Sequence, residues 1–164
     1  MINGKILKVC GMRDGENIRL VEGLGTVDWL GFIFYPKSPR YITEMPQYLP
    51  TSKKRVGVFV NESRENISIT VDRFSLDYVQ LHGNESPEFC NNIRRDGIKT
   101  IKAFTLKHSY DLDIAKDYQT TCDYFLFDTK CRQHGGSGNQ FDWDILKHYK
   151  GDIPFLLSGG INEY

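Results

Sequence analysis

Lys5-Ile6-Leu7-Lys8-Val9-Cys10 runs straight into Gly11-Met12-Arg13-Asp14, and this junction decides between the two architectures open to the chain. The first six residues read as a β-strand. Leu7 and Val9 fall on one face, Lys8 and Cys10 on the other. An open doubly wound sheet places a glycine-rich phosphate loop, GxGxxG, after its first strand. Cys10-Gly11-Met12-Arg13-Asp14 has no such spacing. The alternative is a parallel barrel, whose strand C-termini form the active-site rim.

Working outward, the same rhythm repeats. Strands are predicted at 5–10, 28–34, 55–60, 77–81, 98–104, 123–128 and 153–157. Helices are predicted at 14–23, 63–74, 86–95, 109–118 and 143–149, with a short one at 43–50 punctuated by Pro46 and Pro50. Ser63 and Ser86 are good N-caps, and Glu88 adds an acid in the first turn of its helix. No linker or low-complexity tract interrupts the units, so residues 1–164 read as one α/β domain.

Alternation assigns the strand faces. Val56, Val58 and Val60 are expected together under helices, opposite Gly57 and Phe59. Val79 and Leu81 oppose Gln80 and His82, and Phe125 and Phe127 oppose Leu126 and Asp128. Cys10, His82 and Asp128 all fall at strand C-termini, where a barrel does its chemistry.

Composition narrows the function. Twenty-one Lys and Arg balance 21 Asp and Glu, which disfavours a nucleic-acid partner. The longest apolar stretch, Trp29 to Tyr35, is far too short to span a membrane, and the residues from Met1 to Lys5 do not read as a signal peptide. Four cysteines (Cys10, Cys90, Cys122 and Cys131) and four histidines show no CxxC or metal-site spacing. Scattered thiols point to a reduced, cytoplasmic protein with no bound metal.

Several segments then combine in order. They are Lys8-Val9-Cys10-Gly11, Gly31-Phe32-Ile33-Phe34-Tyr35-Pro36-Lys37-Ser38-Pro39-Arg40-Tyr41, Val56-Gly57-Val58-Phe59-Val60-Asn61 and Val79-Gln80-Leu81-His82-Gly83. Phe127-Asp128-Thr129, Gly135-Gly136-Ser137-Gly138, Phe141-Asp142-Trp143 and Ser158-Gly159-Gly160-Ile161 complete the set. Together they resemble the phosphoribosylanthranilate isomerase family, (β/α)8 TIM barrels of tryptophan biosynthesis. The resemblance implies an Amadori rearrangement of N-(5-phosphoribosyl)anthranilate to 1-(2-carboxyphenylamino)-1-deoxyribulose 5-phosphate, with no cofactor. It aligns Asp128 with the general acid and Cys10 with the general base. Arg40 matches the residue that holds a substrate anion, the anthranilate carboxylate. The phosphate is expected at Gly159 and Gly160, where backbone amides can approach it closely, and His82 is expected as a further substrate-binding residue on the rim.

The acid must keep its proton near neutrality, which desolvation favours, so the glycine-bearing segment 129–141 is expected to act as a lid. Lys8, about 6–7 Å from Cys10 by strand rise, is expected to favour the thiolate. The partner is expected to be a small phosphorylated substrate, without nucleic acid or membrane, for a monomer or homodimer. Family members continue through a seventh helix, an eighth strand and a phosphate-binding helix, so the sequence to Tyr164 reads as seven of eight barrel units. A partial sequence of a complete enzyme is favoured. The alternatives are a truncated, non-catalytic paralogue serving as a ligand-binding or regulatory subunit, and a related phosphate-binding barrel isomerase of histidine biosynthesis. That last family resembles a two-aspartate arrangement, which Cys10 disfavours.

Overall fold

Seven parallel strands lie side by side in chain order in a computed structural model that describes residues 3–129 and 143–159. They are β1 (Lys8–Cys10), β2 (Trp29–Ile33), β3 (Lys54–Phe59), β4 (Tyr78–Leu81), β5 (Lys99–Leu106), β6 (Tyr124–Thr129) and β7 (Phe155–Ser158). Among the described residues three α-helices form crossovers: α1 (Gly15–Glu22), α2 (Arg64–Phe74) and α3 (Pro87–Arg95). Each opens on a side-chain cap. Asp14 accepts from the Asn17 amide, Ser63 from Asn66 and Ser86 from Phe89, with Pro87 in the first turn of α3.

The two later helical segments are 3-10 helices, Ser109–Tyr118 and Trp143–His148, rather than the α-helices expected. The first has a physical reason in its packing. Its buried residues are Leu112, Ala115 and Tyr118, a spacing of three that a 3-10 helix stacks on one face. The short helix expected over 43–50 does not form either. Its prolines withhold donors, and Glu22 of α1 ties down the irregular chain instead, accepting from the Thr51 and Ser52 amides at 2.7 and 2.6 Å and from the Tyr48 hydroxyl.

A parallel sheet is buried on both sides. Its outer face packs Leu30, Phe32, Phe59, Val79, Leu81, Phe125 and Phe127 under the crossovers. Each such side chain taken fully out of water contributes about 1.5–3 kcal/mol. The inner face is a second cluster of Trp29, Val56, Tyr78, Ile101, Ala103 and Leu126. Trp29 stacks on Tyr78 with centroids 4.5 Å apart, and Tyr124 meets both rings edge-on, forming an aromatic floor.

In β3 the faces are the reverse of those expected. Val56 and Val58 pair with Tyr78 and Gln80 on the inner side, while Gly57 and Phe59 face outward. Both faces of β3 are apolar, so alternation alone could not orient it. Gly57 decides the outer face, because a Cβ there would lie 2.5 Å from Leu76 Cδ1.

The sheet curls. Lys8 of β1 and Gln80 of β4 lie three strands apart, about 14 Å in a flat sheet, yet their side chains meet at 2.8 Å. Curling gives the inner face a concave surface, and the C-terminal strand ends converge on it.

Candidate active site

Cys10 ends β1, Asp128 is the next-to-last residue of β6, and both open into one cleft of about 1080 Å³. His82, one residue past β4, Arg40 in the connection after β2, and Gly159 after β7 line the same cleft. Thus five of the six residues singled out in the sequence share one surface. Gly160 and all of the expected 129–141 lid beyond Thr129, which ends β6, lie outside the described residues.

The Cys10 thiol, half-buried, leans over Gly31, its register partner in β2. A Cβ on Gly31 would lie 2.7 Å from the sulfur, closer than side chains tolerate. The Gly31 carbonyl accepts both following amides of the first loop, from Gly11 at 2.9 Å and Met12 at 3.0 Å. Gly11 adopts a positive φ of 93°, and Arg40 lies directly over it, donating from Nη1 to the Cys10 carbonyl at 2.9 Å. The guanidinium is therefore fixed to the backbone of the residue that carries the thiol.

Across the cleft, His82 Nε2 stands 3.4 Å from Asp128 Oδ2, with the two side chains 30% and 26% exposed. Gln80 Nε2 lies 2.9 Å from His82 Nδ1, and Gln80 Oε1 accepts from Lys8 Nζ at 2.8 Å. Lys8 does share the inner face with Cys10, as expected, but its ammonium is engaged by the Gln80 amide.

The loop that presents His82 is held by a buried ion pair on the outer face. Lys102 Nζ meets Glu85 Oε2 at 2.9 Å, with side chains 3% and 2% exposed, and also donates to the Gly83 carbonyl at 2.7 Å. Glu85 accepts the amides of Asn61 and Gly83, so one carboxylate ties together the loops after β3 and β4. The other described thiols are not positioned for chemistry. Cys90 and Cys122 are buried, and a hydrogen bond with Cys122, reinforced by burial, pushes the Cys90 thiol up. Among the described residues, no three His, Cys, Asp or Glu side chains gather as metal ligands, and no helix is long and apolar enough to cross a membrane.

A family profile described as N-(5'phosphoribosyl)anthranilate (PRA) isomerase matches residues 7–163. The chain belongs to that family. The N-(5'-phosphoribosyl)anthranilate isomerase of Phocaeicola vulgatus is 53% identical over 156 residues, covering 95% of this chain and 76% of that protein. The solved phosphoribosyl anthranilate isomerase of Thermotoga maritima superposes with a TM-score of 0.80 at 38% identity, over 96% of this chain and 78% of that one. Another family structure was solved in complex with reduced 1-(o-carboxyphenylamino)-1-deoxyribulose 5-phosphate. It superposes at 0.62 with 25% identity, over 97% of this chain and 89% of that one.

Two contributors to this isomerase-family cleft escaped the sequence reading. Gly31 carried a signal, since an isolated glycine within a strand marks a close approach. Gln80 carried a weaker one, a lone amide on an inner face whose partner, Lys8, lies 72 positions away in sequence.

Proposed function

We propose that this chain is a phosphoribosylanthranilate isomerase in which Asp128 is the general acid and Cys10 the general base. The proposed architecture is a (β/α)8 barrel, of which the sequence supplies seven units as one domain over 1–164. The observation that carries the reading is the opening of Cys10 and Asp128, from β1 and β6, into one cleft.

The chemistry follows from what each group can do. Asp128 delivers a proton to the ribose ring oxygen, the bond from that oxygen to C1 breaks, and the nitrogen lone pair forms the iminium. Cys10, as thiolate, takes the proton from C2; the freed electron pair forms the C1–C2 double bond as the iminium π pair returns to nitrogen, giving the enolamine. Moving the C2 hydroxyl proton to C1 gives the aminoketose, so one proton given and one taken leave the composition unchanged. Arg40 is proposed to hold the anthranilate carboxylate, for which a planar guanidinium is suited. Gly159, with a positive φ of 86°, is proposed with Gly160 to receive the phosphate on backbone amides. His82 is proposed to sit at the substrate's edge. The proposed setting is the cytoplasm, as a monomer or homodimer.

Loss of substrate fluorescence on adding the protein to phosphoribosylanthranilate measures the activity. Cys10→Ser and Asp128→Asn are each expected to lower kcat by about 10²–10⁴-fold, the contribution of a positioned acid or base. Wild-type turnover in either variant overturns the assignment of roles.

A further inference from the structure

Lys8 of β1, Gln80 of β4, His82 just past β4 and Asp128 of β6 stand in one line across the inner face. Lys8 Nζ to Gln80 Oε1 is 2.8 Å, Gln80 Nε2 to His82 Nδ1 is 2.9 Å, and His82 Nε2 to Asp128 Oδ2 is 3.4 Å. We infer that Lys8 and Gln80 are positioning residues that hold His82 as a neutral ring with its proton on Nε2, aimed at Asp128.

The direction of the line is set at its far end. An ammonium has three donors and no acceptor, so the Gln80 atom facing Lys8 must be the carbonyl oxygen. That leaves the amide NH2 against the imidazole. An amide nitrogen only donates, so Nδ1 must accept through its lone pair, and the single ring proton is on Nε2. An imidazolium would press an Nδ1–H against the amide hydrogens. Turning the amide over would press those hydrogens against the ammonium instead.

The Nε2–H therefore faces Asp128 Oδ2. At 3.4 Å the contact is longer than a relaxed hydrogen bond, as catalytic contacts often are before substrate arrives. On the reading of Asp128 as general acid, on which this consequence rests, His82 donates to Oδ2 and the transferable proton is carried on Oδ1. His82 thus orients the acid, and Gln80 and Lys8 orient His82 without touching the reacting atoms.

Nitrogen-15 NMR of the whole chain, without substrate and near neutral pH, reads the tautomer from the ring's long-range N–H couplings. The signals of His82 are identified by their loss in His82→Asn. The wild type is expected to show the Nε2-protonated ring. In Gln80→Glu an acceptor replaces the amide hydrogens, so Nδ1 is expected to gain a proton. In Lys8→Met the amide is released and both tautomers should appear. In turnover, Gln80→Glu is expected to lower kcat by about 10–100-fold, part of what a positioned acid supplies, with KM little changed. A wild-type ring protonated on Nδ1, or ring spectra that neither Gln80→Glu nor Lys8→Met alters, overturns the inference. The spectra need no turnover, so the two readings fail separately. A chain with the Nε2 proton that leaves phosphoribosylanthranilate unconverted sinks the isomerase reading alone.

Discussion

Gly31→Ala tests whether the shape of the first two strands serves the thiol. Gly31 and Cys10 are register partners, and a methyl on Gly31 would lie 2.7 Å from Cys10 Sγ and 3.2 Å from Cys10 Cα. Non-bonded contacts relax at about 3.5–4.0 Å, so the sulfur must move by about 1 Å. The backbone can yield little, because the Gly31 carbonyl is held by the Gly11 and Met12 amides at 2.9 and 3.0 Å. The thiol rotamer yields instead, carrying the sulfur away from the sugar C2. A misplacement of this size costs about 10²-fold in rate, or about 2.7 kcal/mol of transition-state stabilisation. Crowding adds about 1–3 kcal/mol of lost stability. The assay is kcat/KM by substrate fluorescence, run below the melting transition of the variant. In a Cys10→Ser background the same substitution should have little further effect, since contacting residues are not additive. A folded Gly31→Ala chain with wild-type kcat/KM refutes the reasoning.

Two further outcomes follow from charged groups away from the cleft. Lys102→Met strands the buried Glu85 carboxylate and should cost about 3–5 kcal/mol by chemical denaturation, with the double change Lys102→Met/Glu85→Gln recovering part of it; equal losses in single and double variants would contradict this. Burial raises Glu22, but the Tyr48 hydroxyl, the Ser52 amide and hydroxyl and the Thr51 amide outweigh it and bring its pKa down from 4.5 to about 2. A carboxyl depressed on folding contributes stability that is complete above its unfolded value and lost as the pH falls through its folded one. The wild type should therefore lose more stability than Glu22→Gln as the pH falls from 4.5 toward 2, measured by urea midpoints, and parallel curves would refute the clasp.

The strand rhythm, the helix caps at Ser63 and Ser86 and the rim positions of Cys10, His82 and Asp128 were legible in the chain, because each depends on neighbours a few residues apart. The absence of GxGxxG after Cys10 argues against an open doubly wound sheet, again a local feature. The orientation of β3 was not legible. Its two faces are equally apolar, and only the packing of Leu76 against Gly57 selects one. Nor was the choice of 3-10 over α in Ser109–Tyr118, which depends on which of its residues the sheet buries.

The sequence by itself determined which residues end the strands and which side of each polar-edged strand they face, because side-chain alternation is a property of the extended chain. Tertiary structure alone decided what those residues meet. Lys8 and Gln80 are 72 positions apart, and only the curl of seven parallel strands brings an ammonium, an amide, an imidazole and a carboxylate into line. The direction of that line is set by donors and acceptors across strands, which no local reading of the chain contains.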